Sequence, residues 1–263
     1  MPTQNSPSTV TILGSGTCVP SLTRSSCALL WQSSNSKVLF DSGAGTLHRL
    51  LQAGVTIFEL THVCYSHFHP DHIGELVPLL FATKYPDGSR RRFPLSICAG
   101  KGFTQFYGGL RAVFGSWIEL PPAQLSVFEF KGDAPDTRTF EDFTLDTLPV
   151  AHNPESLAYR VTDDDGRSLV YSGDSDYCEN LVEIARNADV LVCEAALPDD
   201  LKVKGHLTPS GAGEIAARAG VKKLVLTHFY PECDQVDIEG QCRKTWKGPL
   251  TLARDLMTIA LGE

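Results

Sequence analysis

With 263 residues, 42% of them hydrophobic and 21% charged, the chain is long enough to bury a sizeable core and has ordinary globular composition. Its net charge of −8 opposes a general nucleic-acid-binding surface, because neutralising phosphates takes clustered Lys and Arg. No apolar run approaches the length that spans a bilayer.

Residues 1–8 read as a short polar tail without the charged and apolar regions of a signal peptide, and residues 9–263 as one domain. Strands are predicted over 10–13, 28–31 and 38–40, and a helix over 46–53 that stops at Gly54. An apolar strand, Leu60-Thr61-His62-Val63-Cys64-Tyr65, precedes a helical period over 73–84 carried by Ile73, Leu76, Val77, Leu80 and Phe81. Pro86-Asp87-Gly88 signals a turn, and Arg90-Arg91-Arg92 after it reads as a solvated loop, with a local phosphate contact as the alternative. A strand over 95–99 and a helix over 102–113 follow. Residues 126–172 are β-rich, with a hairpin turn at Asp163-Asp164-Asp165-Gly166. Next come a helix over 180–186, a strand over 190–193, a helix over 209–219 and a strand over 221–227. The helix over 209–219 has Thr208 as N-cap, Pro209 at its first position and Gly220 as its stop. Strands alternating with helices and no linker between them indicate one layered α/β domain. Eight cysteines without a CxxC pair, several of them in core strands, favour a reducing, cytoplasmic setting over a disulfide framework.

The densest chemistry is Ser66-His67-Phe68-His69-Pro70-Asp71-His72, on the turn between a predicted strand and a predicted helix. Three histidines and an aspartate in six positions are hard to explain as packing, since each polar group needs a partner if buried. Zinc takes nitrogen, oxygen or sulfur donors, and one turn rarely supplies enough of them. Further donors stand just past β-type runs: His152 after Leu148-Pro149-Val150-Ala151, Asp174 after Tyr171-Ser172-Gly173, and His228 after Leu224-Val225-Leu226-Thr227. Taken singly, Asp174 is also readable as a turn residue and His152 as a surface loop residue; the ordered set is what raises them. His62 reads as a satisfied core histidine, His48 as ordinary surface, and Arg24 as an exposed loop arginine with substrate contact as the alternative.

The motif His67-x-His69-x-Asp71-His72, followed in order by His152, Asp174 and His228, resembles the metallo-β-lactamase superfamily of binuclear metallohydrolases. The resemblance implies a four-layer αββα sandwich with the site at one edge of its two sheets. It implies that His67, His69 and His152 bind one divalent metal ion, that Asp71, His72 and His228 bind a second, and that Asp174 bridges them. The ions would be zinc, with manganese as the alternative. Asp41, in Phe40-Asp41-Ser42-Gly43, would orient the ligand loop.

Within the superfamily, Glu194 after Leu191-Val192-Cys193 and His206 in Gly205-His206-Leu207-Thr208 are similar to the Glu–His pair of ribonuclease Z-like phosphodiesterases. The implied reaction is phosphodiester hydrolysis: a metal-bridging hydroxide is the nucleophile, and His206, held by Glu194, protonates the leaving oxygen. Asp71 would double as a proton acceptor. Taken alone, His206 is also readable as a loop histidine and Glu194 as a cap. The chain departs from ribonuclease Z in carrying Ser42 and Ala44 where that family commonly has cysteine and glutamate. Only 21 residues separate His152 from Asp174, where ribonuclease Z carries a long arm that grips tRNA. With the acidic charge, this favours a small or nucleotide-type phosphodiester over tRNA. A lactone, thioester or other carboxylic-ester hydrolase on the same metals is the alternative. The resemblance allows a homodimer. Loops over 85–93 and 229–247 are expected to shape the choice of substrate, and the second is long enough to cover the cleft.

Overall fold

The computed structural model describes residues 7–84, 91 and 93–262. Among these, strand β1 (Thr9–Gly14), β2 (Ala28–Gln32), β3 (Lys37–Phe40), β4 (His62–Tyr65), β5 (Leu95–Ala99) and β6 (Leu125–Glu129) lie side by side in one sheet. β7 (Asp136–Thr139), β8 (Phe143–Pro149), β9 (Leu157–Asp163), β10 (Ser168–Tyr171), β11 (Val190–Glu194), β12 (Lys223–Thr227) and β13 (Leu250–Leu252) form the other. β14 (Met257–Ala260) returns to the first sheet and pairs antiparallel with β1, Thr9 opposite Ala260. β3 through β6 run parallel to one another, as do β10 through β13.

Strand periodicity explains the layering. In β2, Leu29 and Trp31 enter the core between the sheets, while Ala28 and Leu30 face the outer helices. Both faces are buried, so the strand is a continuous apolar run without a polar alternation. α1 (Thr46–Gln52), α2 (Pro70–Ile73), α3 (Leu76–Lys84) and α4 (Phe103–Phe114) belong to the first sheet's side, where Leu50, Ile73, Leu76, Leu79, Leu80 and Phe103 are buried. α5 (Glu179–Ile184), α6 (Pro209–Ala219) and α7 (Ile238–Cys242) belong to the second. The helix–sheet–sheet–helix order is the expected αββα sandwich. No helix among the described residues is long and apolar enough to cross a membrane.

Several local expectations change. The helical period over 73–84 belongs to two helices, because the chain breaks at Gly74-Glu75. There the Glu75 carboxylate accepts from Gly45 N at 2.9 Å and Leu47 N at 2.7 Å, capping the otherwise uncapped start of α1. Arg91 is not solvated: it is 6% exposed, and its guanidinium donates to the carbonyls of Leu60 and Ile57. Burial pulls its pKa down to about 10. Arg90, Arg92 and the turn at Pro86-Asp87-Gly88 lie outside the described residues, as do residues 1–6 of the expected tail. Ser8, its last member, is buried and donates to Asp163 Oδ2 at 2.5 Å. The 229–247 segment is pinned to the core at intervals, with Phe229, Cys233, Ile238, Cys242 and Trp246 buried and exposed residues between them. Only its start borders the site.

Candidate metal centre

The site lies where the parallel strands of both sheets end. β3 leads into Asp41, β4 into His67, β10 into Asp174, β11 ends in Glu194, and β12 leads into His228. Parallel neighbours end level with one another, so side chains far apart in sequence gather at one edge.

Asp41, fully buried with φ +61°, organises the ligand loop. Its carboxylate accepts from Ser66 N at 2.7 Å, Ser66 Oγ at 2.7 Å, Tyr171 Oη at 2.7 Å and His72 Nδ1 at 2.8 Å. His69 is the last extended residue before α2, and Pro70 opens the helix with its preset φ. Asp71 and His72 therefore occupy the first turn. The Asp41 loop passes so close that a Cβ at Gly43 would lie 1.8 Å from the Asp71 carbonyl oxygen. Ser42 N donates to the His72 carbonyl at 2.6 Å, tying the two loops.

The expected ligands assemble as two groups. His67, His69, His152 and Asp174 bring ligand atoms within 4.8 Å of one another, and so do Asp71, His72 and His228. Asp174 faces both. Its Oδ2 is 3.7 Å from His67 Nε2, and its Oδ1 is 3.2 Å from His72 Nε2 and 3.3 Å from His228 Nε2. Asp71 Oδ2 lies 3.7 Å from His228 Nε2 and 3.9 Å from His72 Nε2. Gly173, with φ +56°, makes this approach possible, since a Cβ there would sit 2.6 Å from the Ser66 Cβ.

The donors fit divalent ions. His72 Nδ1 bonds Asp41, and His152 Nδ1 bonds the Gly205 carbonyl at 2.8 Å, so each ring turns Nε2 inward. There His72 Nε2 meets His228 Nε2 at 3.3 Å, and His152 Nε2 meets His69 Nδ1 at 3.3 Å. Facing ring nitrogens at this distance either share a proton or take a cation between them. His67 Nε2 and Asp174 Oδ1 are buried without a hydrogen-bond partner among the described residues. An unsatisfied buried polar atom costs about 1–3 kcal/mol, a cost that coordination offsets. Burial drives the His67 pKa well down. Burial acts the same way on His72, but Asp174 and Asp41 outweigh it and hold that pKa well up. Burial also opposes ionisation of Asp174, yet the charges of His228, His72 and His67 hold its carboxyl well below the usual range.

Glu194 and His206 meet beside these groups. Glu194, 1% exposed, accepts from His206 Nδ1 at 3.1 Å and from Ser175 N at 2.7 Å. Burial opposes the charged imidazolium, but the hydrogen bond and charge of Glu194 leave the His206 pKa raised. The His206 ring stacks on that of His228, with centroids 5.7 Å apart and planes 11° apart. His206 thus joins Asp174 and His228 in a third cluster at the same edge.

Some supporting residues went unread in the sequence. The Asn153 side-chain amide lies 3.0 Å from His69 Nε2 and turns Nδ1 of that ring toward His152. Asn153 had only its place next to His152 as a signal. Tyr171 ends β10, as its sequence context predicts, and its hydroxyl also donates to Asp41, which that context does not show. Arg24 is neither an ordinary exposed loop residue nor free for substrate. Its guanidinium donates to Ser15 Oγ, the Ala253 carbonyl and Asp234, at 2.8, 3.1 and 2.8 Å, and lies over the Phe229 ring. His62 is the satisfied core histidine expected, buried against Phe140 and Phe143 with Nδ1 2.9 Å from Thr61 Oγ1. His48 is exposed.

Residues 36–229 match the Beta-lactamase superfamily domain. The metallo-beta-lactamase fold protein YhfI from Bacillus subtilis superposes with a TM-score of 0.81 at 27% identity, covering 97% of this chain and 99% of that one. The short form of human tRNase Z gives 0.79 at 25% identity, covering 97% and 100%. Ribonuclease Z of Streptomyces avermitilis is 26% identical over 301 residues, 94% of this chain and 96% of that protein. The matching domain, the αββα sandwich and the His/Asp cluster at its edge together place this chain in the metallo-β-lactamase superfamily of metal-dependent hydrolases, among ribonuclease Z-like relatives.

Proposed function

We propose that the chain is a binuclear metal-dependent phosphodiesterase that uses His206 as its general acid. The observation that carries this reading is the 3.1 Å bond from His206 Nδ1 to buried Glu194, beside the two ligand clusters. A thioester expels a weakly basic thiolate, and a carboxylic ester or lactone expels its alkoxide only after addition to the carbonyl; a phosphodiester expels the alkoxide in the displacement itself and so gains more from a held, protonated imidazole.

His67, His69 and His152 would hold one divalent ion, Asp71, His72 and His228 a second, and Asp174 would lie between them. Zinc suits these donors, and manganese is the alternative. When bound, such ions supply Lewis acidity and lower the pKa of water to near 7. The protein's own residues do the rest. Asp41 fixes the His72 ring and the Ser66 turn, so the first ligand loop is set before substrate arrives. Glu194 accepts from His206 Nδ1, which aims Nε2 at the leaving oxygen and stabilises the protonated ring. Asp71, 12% exposed in its side chain, is the carboxylate open to accept a proton from the attacking water.

A small or nucleotide-type diester suits the site better than tRNA. Between His152 and Asp174 the chain is spent on β9, β10 and their tight turn, which leaves no projecting arm. Eight free cysteines are consistent with a cytoplasmic setting.

The test compares two chromogenic diesters, one with a p-nitrophenol leaving group and one with a more basic phenol. His206→Ala should lose activity about 10²–10⁴-fold on the basic leaving group, much less on p-nitrophenol, and keep its metal. Opening of a lactone or thioester, with no diester turnover, would replace this reading with the ester-hydrolase one.

A further inference from the structure

Tyr230 stands two residues past His228, half-buried, with its backbone N–H bonded to the Ala196 carbonyl at 3.0 Å. Its ring meets that of His228 edge-on, with centroids 6.2 Å apart and planes at 84°. Its hydroxyl lies 3.6 Å from the Sγ of Cys18, an exposed thiol on the loop after β1. That loop also holds Val19 and Leu22 out to solvent, at 38% and 102% exposure. Arg24 anchors it by bonding Asp234, in the short helical turn that Tyr230 precedes. Tyr230 and this loop together form an aromatic and apolar edge next to His228.

His206 takes one flank of His228, stacked face to face, and no ring contact joins His206 to Tyr230 among the described residues. His206 thus stacks on His228 while Tyr230 meets it edge-on, so the two groups approach it in different ways. Resting on the phosphodiesterase reading, the direction of His206 belongs to the departing alcohol. We propose that Tyr230 is a specificity-determining residue whose ring stacks on the retained ester group, selecting diesters in which that group carries an aromatic ring. Among the described residues its hydroxyl is paired with a thiol, a weak hydrogen-bond partner, so little polar tethering competes with stacking on the half-buried ring. Stacking of a flat ring on an aromatic side chain is sequence-tolerant and strong enough to govern binding.

Two chromogenic substrates isolate the retained group: bis(p-nitrophenyl) phosphate and methyl p-nitrophenyl phosphate. Both release p-nitrophenolate, so only the retained group differs. In the metal-loaded enzyme, Tyr230→Ala should lower the aryl-over-methyl ratio of kcat/KM about tenfold, mainly through KM, with metal content unchanged. Tyr230→Phe, which keeps the ring, should retain the ratio. A wild-type ratio in Tyr230→Ala would overturn the assignment, because both substrates would still report a working site. No turnover of either diester by the loaded wild type would overturn the phosphodiesterase reading and this inference with it.

Discussion

Asp41 Oδ2 lies 2.8 Å from His72 Nδ1, and both side chains are fully buried. The same carboxylate also holds Ser66 and Tyr171, so one residue sets both the first ligand loop and the end of β10. Asp41→Ala strands buried donors at about 1–3 kcal/mol each, and the protein should lose several kcal/mol of stability by denaturant unfolding. Asp41→Asn keeps the volume and loses the charge. Metal affinity measured by competition with a chelator should then drop about 10–100-fold while the fold persists.

Glu194 acts on the reaction through His206, while its carboxylate also accepts from Ser175 N beside Asp174. Glu194→Gln should reduce hydrolysis of a diester with a basic leaving group, within the roughly 10²–10⁴-fold ceiling of general-acid catalysis. Hydrolysis of the p-nitrophenyl diester should change far less. An equal loss on both substrates would assign Glu194 to metal binding or folding instead.

Asn153 supports His69 from behind, and its replacement separates the two ligand groups. In Asn153→Ala, one equivalent of metal should be held about 10–100-fold more weakly, with the second equivalent unaffected. Stepwise titration with a chromophoric chelator reads both. Uniform weakening of the two equivalents would contradict the role given to this contact.

Gly173→Ala places a Cβ 2.6 Å from the Ser66 Cβ at a positive φ, and both costs fall on the turn that carries Asp174. Left-handed backbone alone costs about 1–2 kcal/mol for a residue with a Cβ. A lowered Tm is expected in the metal-free protein, with a larger drop in the metal-loaded protein because the displaced Asp174 binds less well.

Burial lowers the His62 pKa from 6.5 to about 4. The neutral ring is the form that folds, so the unfolded chain binds more protons between these values. Stability contributed by His62 is complete above pH 6.5 and declines as pH falls toward 4. The whole span is worth about 3 kcal/mol at most. The difference in unfolding free energy between wild type and His62→Phe should shift in this direction from pH 7 to pH 4, and a flat difference would contradict it.

The ligands were legible because their chemistry is concentrated: four donors fall within residues 67–72, and the rest follow apolar runs that end in His or Asp. Thr208, Pro209 and Gly220 bounded α6 by local rules, and the boundaries agree. Short pairings were less legible. β14 has four residues and little pattern of its own, and it becomes a strand by pairing with β1 from the other end of the chain. Arg24 and Arg91 look solvated in sequence. Carbonyls that hold them come from distant segments: Leu60 and Ile57, 31 and 34 residues from Arg91, and Ala253, 229 residues from Arg24.

The sequence by itself determined the residue types, their order and the strand-to-loop placement of the metal donors. Those follow from local periodicity and from side chains that have few uses other than coordination. The tertiary structure decided which nitrogen of each histidine faces inward, that Asp174 stands between the two groups, and that Asn153 and Tyr171 support them. Such choices depend on hydrogen bonds and burial between segments distant in the chain, set only when the two sheets pack and their strand ends align.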